Sequence, residues 1–394
     1  LKIETFLNFD DFKYDFDASF FLDNPVNNGD NQQFRFGVKP TFTYKNGQLY
    51  LLASVNTVDR NFDQFNAFAG TLDFYNFKGR SVHLDLVNKY EFSKSLQLIA
   101  GINYQEHSNN TTTPFAIINK KVANFNTLDP YASVVFITDF GASFNAGLRY
   151  NMHHVYGNQL VYDGNIAYTV LKSENTNIKL LTSYSTAFIA PSLYQLFDGF
   201  AGNIDLKPET NETFEAGFDM NYQDWLQLNA VYFKREENDA IIFDTTTFKY
   251  ANGSTNANGL EVSTKVVPTA FLSVNASYTF INKDEFEDFD DYIPANKLVV
   301  GLDVTPFKNA FLNFSYRNVG KRTFFDRYGS FGNADEDVIL KKYQVLDVMA
   351  NYKILNGTVT FFTAFTNLLN EDYNDVLGYS TRGRNYKVGI RLQF

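Results

Sequence analysis

Apolar residues occupy every second position at the C-terminal end of the chain. Between Tyr386 and Phe394 they alternate with Lys, Gly, Arg and Gln without interruption. The same period of two recurs at 298–304, 272–280 and 214–222. Successive side chains of a β-strand point to opposite faces of the sheet, so this pattern predicts strands with one apolar and one polar face. Since no helical period persists over a dozen residues, the sequence predicts an all-β protein.

The alternation predicts roughly 17 to 19 strands. Their approximate ranges are 1–8, 12–22, 33–44, 47–58, 78–92, 96–107, 130–138, 141–152, 160–171, 177–188, 211–222, 226–236, 256–267, 270–282, 296–305, 308–318, 342–354, 357–366 and 385–394. Short links alternate with longer ones, which are expected at 23–32, 59–77, 108–129, 189–210, 237–255, 283–295, 319–341 and 367–384, with a shorter member at 153–159. An outer-membrane β-barrel has this asymmetry, with tight turns on one rim and large loops on the other. In a soluble sandwich, nothing requires short and long loops to alternate in this way.

The composition excludes several further classes of protein. The chain has 394 residues, no Cys, a net charge of −10 and 17% aromatic residues. The aromatic share excludes disorder, and the negative charge argues against nucleic acid as the main partner, because phosphate binding rests on Lys and Arg. The sequence has no apolar run of about 18 residues, so no transmembrane helix is predicted. Without Cys, disulfides and thiolate metal sites are excluded.

A barrel of this width cannot fill its interior with side chains. We therefore predict a transmembrane antiparallel β-barrel whose polar faces line a wet lumen and whose apolar faces meet lipid. Aromatic residues at strand ends would form the interfacial girdles. The expected girdle positions are Tyr104, Tyr222, Tyr278, Tyr316, Tyr386 and Phe394. The alternative is a large soluble sandwich or propeller, although neither needs an apolar face on every strand.

The sequence carries no motif for catalysis, a cofactor or a bound metal. It has no HExxH, P-loop or nucleophile elbow, and the adjacent His153 and His154 are expected on opposite faces of a strand. We therefore predict that the protein is not an enzyme. The acidic run 284–292 has the oxygen ligands that Ca²⁺ prefers, but it lacks the glycine-turned loop of an EF-hand. A solvated loop is the favoured interpretation of this run.

Aromatic residues in the long links are the candidate ligand contacts. They are Tyr194, Phe197, Phe200, Phe324, Phe325, Tyr328 and Tyr379. An aromatic rim above a wet lumen suits a large, partly apolar ligand. The equal alternative is that these rings only pack the loops against each other.

Two stretches resemble the TonB-dependent outer-membrane receptors. The first runs from Tyr184 to Gly217 and contains Phe-x-x-Pro-x-x-x-x-Leu, a Gly-Asn-x-x-Leu-x-Pro-Glu loop and a Phe-Glu-Ala-Gly strand start. The second is similar to the closing signature of the family, with Asn-Leu-Leu-Asn-Glu-Asp-Tyr, then Gly-Tyr-Ser-Thr-Arg-Gly-Arg and a terminal aromatic residue. The positions that match the family pattern, with expected structural roles, are Pro191, Asn203, Leu206, Pro208, Glu209, Glu215, Gly217, Asn367, Leu368, Gly378, Gly383, Arg384 and Phe394. The chain departs from the family pattern at two positions. Arg382 stands where the family commonly has Pro, and Leu369 stands where it usually has Phe.

The resemblance implies a 22-stranded barrel closed by an N-terminal plug. Residues 1–394 are expected to form only barrel, without the plug and with three to five strands missing. Arg317, Lys387 and Arg391 are then expected to pair with plug carboxylates.

The resemblance also implies a function: import of a scarce, large nutrient, with cobalamin favoured, ferric siderophores second and a passive porin a remote alternative. The implied partners are the TonB-ExbB-ExbD complex acting through the plug, outer-membrane lipid and lipopolysaccharide, the nutrient itself, and a surface lipoprotein lid as an optional addition. The implied location is the bacterial outer membrane.

Overall fold

A computed structural model describes residues 1–17, 24–66, 69–244, 247–283, 293–326 and 336–393. Phe394, Tyr328 and the acidic run 284–292 lie outside the described residues, as does the side chain of Phe325. Contacts divide the chain into two compact units. Unit 1 comprises 1–166, 183–213 and 236–255, and unit 2 comprises 167–182, 214–235 and 256–394. No helix among the described residues is long and apolar enough to cross a membrane.

The structure is almost entirely β. The strands are β1 (Lys2–Asp15), β2 (Asn28–Tyr44), β3 (Gly47–Asn66), β4 (Thr71–Ser93), β5 (Leu96–Thr112), β6 (Ile117–Ile118), β7 (Asn124–Ile137), β8 (Ala142–His153), β9 (Gly157–Lys172), β10 (Thr176–Ile189), β11 (Glu209–Tyr222), β12 (Leu226–Asp244), β13 (Lys249–Thr269), β14 (Leu272–Lys283), β15 (Asn296–Val304), β16 (Ala310–Val319), β17 (Arg322–Asp326), β18 (Glu336–Leu340), β19 (Tyr343–Ile354), β20 (Val359–Thr366) and β21 (Asn385–Leu392). A single short helix, α1 (Leu193–Phe197), lies between β10 and β11, and a 3₁₀ turn spans Leu355–Gly357.

One sheet contains 19 of these strands, which confirms the predicted all-β class and strand number. Sequential strands pair antiparallel, as in β2 with β3, β3 with β4 and β15 with β16. The strands β17 and β18 form a separate hairpin between β16 and β19. Short connections follow β2, β4, β7, β9, β11, β13, β15 and β19, so these ends define the turn side of the sheet. The opposite ends define the loop side.

Two boundary predictions were wrong. The strand expected at 1–8 and the start of the one expected at 12–22 form one strand, β1, which pairs with β2 without a break from Lys2 to Asp15. Residues 18–22 lie outside the described residues. The long links expected at 59–77 and 237–255 are mostly strand, because β3 and β4 stay paired as far as Asn66 and Thr71, and β12 and β13 reach 244 and 249. In both cases the apolar alternation fails but the backbone ladder continues, since its hydrogen bonds need no apolar side chain.

The apolar side chains form continuous rows across neighbouring strands. In unit 2, Val274 pairs with Leu302, Leu302 with Phe314 and Phe314 with Val348. The row continues through Phe365. In unit 1 an equivalent row is Val38, Ala53, Leu84, Tyr104 and Leu128.

These rows are not buried between layers. Large apolar residues with more than a third of their surface exposed far outnumber the buried apolar residues of the described chain. Leu148 is 54% exposed and Val388 is 71% exposed, although both lie in strands. A water-soluble sandwich would bury such side chains between its sheets. The apolar face therefore needs a solvent other than water.

Candidate functional site

The candidate ligand contacts of unit 1 lie on the loop side, between β10 and β11. Here the short helix α1 carries Tyr194 and Phe197. Ser192 caps this helix, because its hydroxyl accepts from the Gln195 backbone N–H at 3.2 Å while the Gln195 side chain accepts from the Ser192 N–H at 2.8 Å. Leu193 and Leu196 are buried, so Tyr194 is turned outward and is 44% exposed. The Ser-x-x-Gln spacing is a capping-box signal that the sequence analysis missed.

Landmark residues of the same loop hold it in place. The Asn203 side chain donates to the Tyr250 carbonyl at 2.8 Å, and the Glu209 carboxylate accepts from the Ile241 N–H at 2.8 Å. Leu206 is 2% exposed, and Pro191 is also buried. These contacts join the segment between β10 and β11 to β12 and β13.

A chain of aromatic rings crosses the loop side of unit 1. The rings of Phe62 and Tyr75 stack with centroids 4.6 Å apart, and Phe62 lies 6.0 Å from Phe77. Tyr194 then contacts Phe77 and Tyr250, each at 6.2 Å. We call these five residues the aromatic cluster. Because Tyr75 and Phe77 share the face of β4 that carries His83 and Asp85, the cluster continues the polar face of the sheet.

The Asp198 carboxylate lies near Tyr194 of the aromatic cluster. Burial raises the pKa of Tyr194, and the nearby Asp198 carboxylate raises it further. Asp198 is fixed by accepting from the N–H groups of Phe200 and Ala201 at 3.0 and 2.8 Å. The neutral tyrosine hydroxyl is therefore available as a hydrogen-bond donor over the whole physiological pH range.

Phe200 belongs to a neighbouring ring set. It contacts Phe115 at 5.4 Å and Phe248 at 6.0 Å, and half of its surface remains exposed. The structure thus joins Tyr194 and Phe200 to rings of other segments. These rings therefore pack the segments against each other, in addition to any contact that they make with a ligand. Phe197 is half-buried.

The candidates of unit 2 lie on two loop-side connections. Phe324 is in β17, where it pairs with Val338, and the Phe325 backbone pairs with that of Asp337. Tyr379 is 38% exposed, and its carbonyl accepts from the Asn374 side chain at 2.6 Å.

Between these two connections lies a cluster that the sequence analysis missed. Arg322 is 4% exposed at its side chain and donates to the carbonyls of Asn374 at 2.8 Å and Asp375 at 3.1 Å. Tyr343 and Tyr373 pack beside it. No local sequence signal marks this contact, because Arg322 and its partners lie more than 50 residues apart.

Residues of the closing motif form hydrogen bonds with one another and with β19. Asn367 is 3% exposed, its side chain donates to the Glu371 carbonyl at 2.8 Å, and its N–H donates to Asp347 at 2.8 Å. The Leu368 N–H donates to the Leu346 carbonyl at 2.7 Å. Asn370 accepts from the Arg384 N–H at 3.1 Å.

Three glycines of the motifs and Glu215 lie at a backbone turn or at close contacts with neighbouring segments. Gly378 has a φ of 84°, which favours glycine. At Gly217 a Cβ would lie 2.3 Å from the Ala230 carbonyl oxygen. The Glu215 carbonyl accepts from the Thr182 hydroxyl at 3.0 Å, and Gly383 approaches the Asn370 side chain.

The histidines do not form a metal centre in the described chain, where no cluster of three or more candidate ligands occurs. The expectation that His153 and His154 face opposite ways was wrong. Their rings lie 5.7 Å apart at an interplanar angle of 17°. The strand ends at His153, whose Nδ1 accepts from the Val155 N–H at 3.1 Å, so strand alternation no longer applies to His154.

Comparison with known proteins identifies the family. The family model described as "TonB dependent receptor-like, beta-barrel" matches residues 4–368. The chain belongs to this family. The fold is therefore an outer-membrane β-barrel, and the apolar rows are its lipid-facing surface.

Individual relatives and solved structures show the same resemblance. The chain is 25% identical over 251 residues to the vitamin B12 transporter BtuB of Vibrio cholerae serotype O1, covering 63% of this chain and 39% of that protein. It resembles the siderophore receptor PirA of Acinetobacter baumannii at a TM-score of 0.75 and 14% identity, covering 94% of this chain and 63% of that one. The copper transporter OprC gives a TM-score of 0.76 at 13% identity, covering 94% and 67%. The structural matches show the shared fold, and the chain spans less than half of the curated relatives' length.

Proposed function

We propose that this chain forms barrel wall and extracellular loops of a receptor that imports a large, scarce nutrient with energy supplied through TonB. The observation that carries the proposal is the aromatic cluster, which places rings from three loop-side segments on the continuation of the polar face. Rings in such a position offer a large apolar contact area with hydroxyl donors beside it. Membership of the TonB-dependent receptor family supports energised transport.

We propose a corrinoid, cobalamin in particular, as the nutrient. The support is the relation to a vitamin B12 transporter over 63% of this chain. A corrinoid presents a broad ring with amide substituents, and it therefore matches aromatic faces edged by hydroxyl groups. A ferric siderophore is the second candidate, supported by the fold shared with the receptors PirA and PfeA.

Calorimetry on the receptor at its full natural length tests the ligand. We expect saturable binding of cobalamin and none of a panel of ferric siderophores. Tyr194→Ala should weaken the binding about tenfold, since loss of an aromatic contact with the bound ligand costs on the order of 1–2 kcal/mol. Tyr162→Ala, which removes an exposed tyrosine of β9 that packs on Tyr184, is the matched control. Siderophore binding alone would replace the corrinoid proposal, and no binding of either class would remove both.

Dependence on the energiser tests the transport class. Uptake by cells that lack TonB should fall to background if the receptor is energised. Uptake that persists without TonB would assign a passive porin instead. The roles of the plug and of the TonB-ExbB-ExbD complex are part of this proposal and depend on the same experiment, and a surface lid is an optional addition to it.

A further inference from the structure

A depression of about 750 Å³ lies on the apolar face of unit 2, across β16, β19, β20 and β21. Its floor holds the small side chains of Ala350 and Thr363, which are cross-strand neighbours. Taller apolar side chains surround this floor in register: Leu312, Tyr352, Phe361, Val388 and Ile390. At the turn side, Phe307 packs edge-on against Tyr352 with ring centroids 6.1 Å apart. The depression is therefore bordered by taller side chains on its turn side and across β16, β20 and β21, and it is open towards the surrounding membrane.

The lining excludes several kinds of occupant. The described residues that line the depression carry no charged side chain. The strands β16, β19 and β20 are paired on both of their edges, so an occupant cannot be added to any of these three as a further peptide strand. The part of an occupant that lies within the depression must then bind mainly through apolar contact. The depression is continuous with the lipid-facing rows, where acyl chains are the surrounding solvent.

A cationic residue stands at the turn-side end. Lys308 is exposed in the turn between β15 and β16, directly after Phe307. A lysine at the edge of the apolar belt attracts anionic lipid headgroups. The site thus combines an apolar depression with a cationic end. These two features match the apolar chains and the phosphate headgroup of one phospholipid molecule.

We propose that this depression binds one phospholipid from the turn-side leaflet, with an acyl chain over Ala350 and Thr363 and its phosphate beside Lys308. Binding at this site involves neither the nutrient nor the energising complex, so it goes beyond the proposed function. Occupied, it would fill the depression in the wall formed by β16, β19, β20 and β21.

Native mass spectrometry of the receptor, extracted in mild detergent, tests the site. We expect the unsubstituted protein to retain one phospholipid. Ala350→Trp fills the depression and should lower the retained fraction at least fivefold. Ala132→Trp is the matched control, since Ala132 lies on the apolar face of β7, opposite Leu148, and should retain lipid normally. Lys308→Ala leaves the depression open and should lower retention about threefold.

Each variant is first shown to be folded by its heat-modifiable migration on a gel, and nutrient binding should be unchanged in all of them. Equal lipid retention in Ala350→Trp and Ala132→Trp would overturn the proposal. So would an unsubstituted protein without bound lipid, or the loss of a copurifying polypeptide instead of a lipid from Ala350→Trp.

Discussion

The rings of Tyr343 and Tyr373 stack with their centroids 4.1 Å apart and an interplanar angle of 21°. The Tyr343 hydroxyl donates to the Asp375 carboxylate at 2.6 Å, and the Arg322 guanidinium lies 5.1 Å from the Tyr343 ring. These contacts join the start of β19 to the loop that follows β20. Two loop-side connections, 320–342 and 367–384, therefore share one anchor.

Removal of Arg322 should free the loop 367–384. In Arg322→Ala the carbonyls of Asn374 and Asp375 lose their donors, at a cost of about 1–3 kcal/mol for the local structure. Hydrogen exchange of this loop should accelerate at least fivefold while the strands remain protected. The neighbouring Lys321→Ala is the control, because Lys321 is exposed. Equal exchange in both variants would show that Arg322 does not anchor the loop.

The Tyr343 phenol should titrate late. Burial, followed by the hydrogen bond to Asp375, raises its pKa to about 12. Because this exceeds the value of about 10 for an unfolded tyrosine, the stabilisation is complete below pH 10 and is lost as the pH rises towards 12. The phenolate absorbance of the protein minus that of Tyr343→Phe should show a midpoint near 12, and Asp375→Asn should lower it. A midpoint near 10 would mean that the hydroxyl is solvated.

Gly217 should tolerate no larger residue. A Cβ at this position would lie 2.3 Å from the Ala230 carbonyl oxygen, so Gly217→Ala should destabilise the barrel by about 1–3 kcal/mol. At Gly164, also within a strand, a Cβ would meet no atom within 4 Å, and Gly164→Ala should be nearly neutral. Urea unfolding of both variants in lipid vesicles gives the comparison. Similar midpoints would remove the close approach as the reason for the glycine.

The period of two predicted the all-β class and the strand number. It failed where polar residues occupy both faces but the ladder continues, as in β3 beyond residue 58. The five-residue helix α1 is too short for a helical period, and only its Ser192 cap marked it. Alternation along a strand describes one segment, and it therefore cannot report contacts between distant segments.

The sequence predicted only part of the candidate site, because alternation does not report contacts between distant segments. Tyr194 and Phe200 were identified because they are aromatic residues in a long link. Their partners Phe77 and Phe115 belong to other hairpins, and the pairing depends on how those hairpins pack. Arg322 was missed because its partners are carbonyl groups, which have no signature in a sequence.

The central claim is that one face of each strand meets lipid and the other meets water. Leu302 lies in the apolar row between Val274 and Phe314, whereas the next residue, Asp303, accepts a hydrogen bond from Asn313 at 2.7 Å on the polar face. Unfolding free energies in lipid vesicles should fall by about 2–4 kcal/mol for Leu302→Lys at mid-depth. For Asp303→Lys the loss should be about 1 kcal/mol, the value of the hydrogen bond from Asn313. Equal losses, or a larger loss for Asp303→Lys, would contradict the assignment of the two faces.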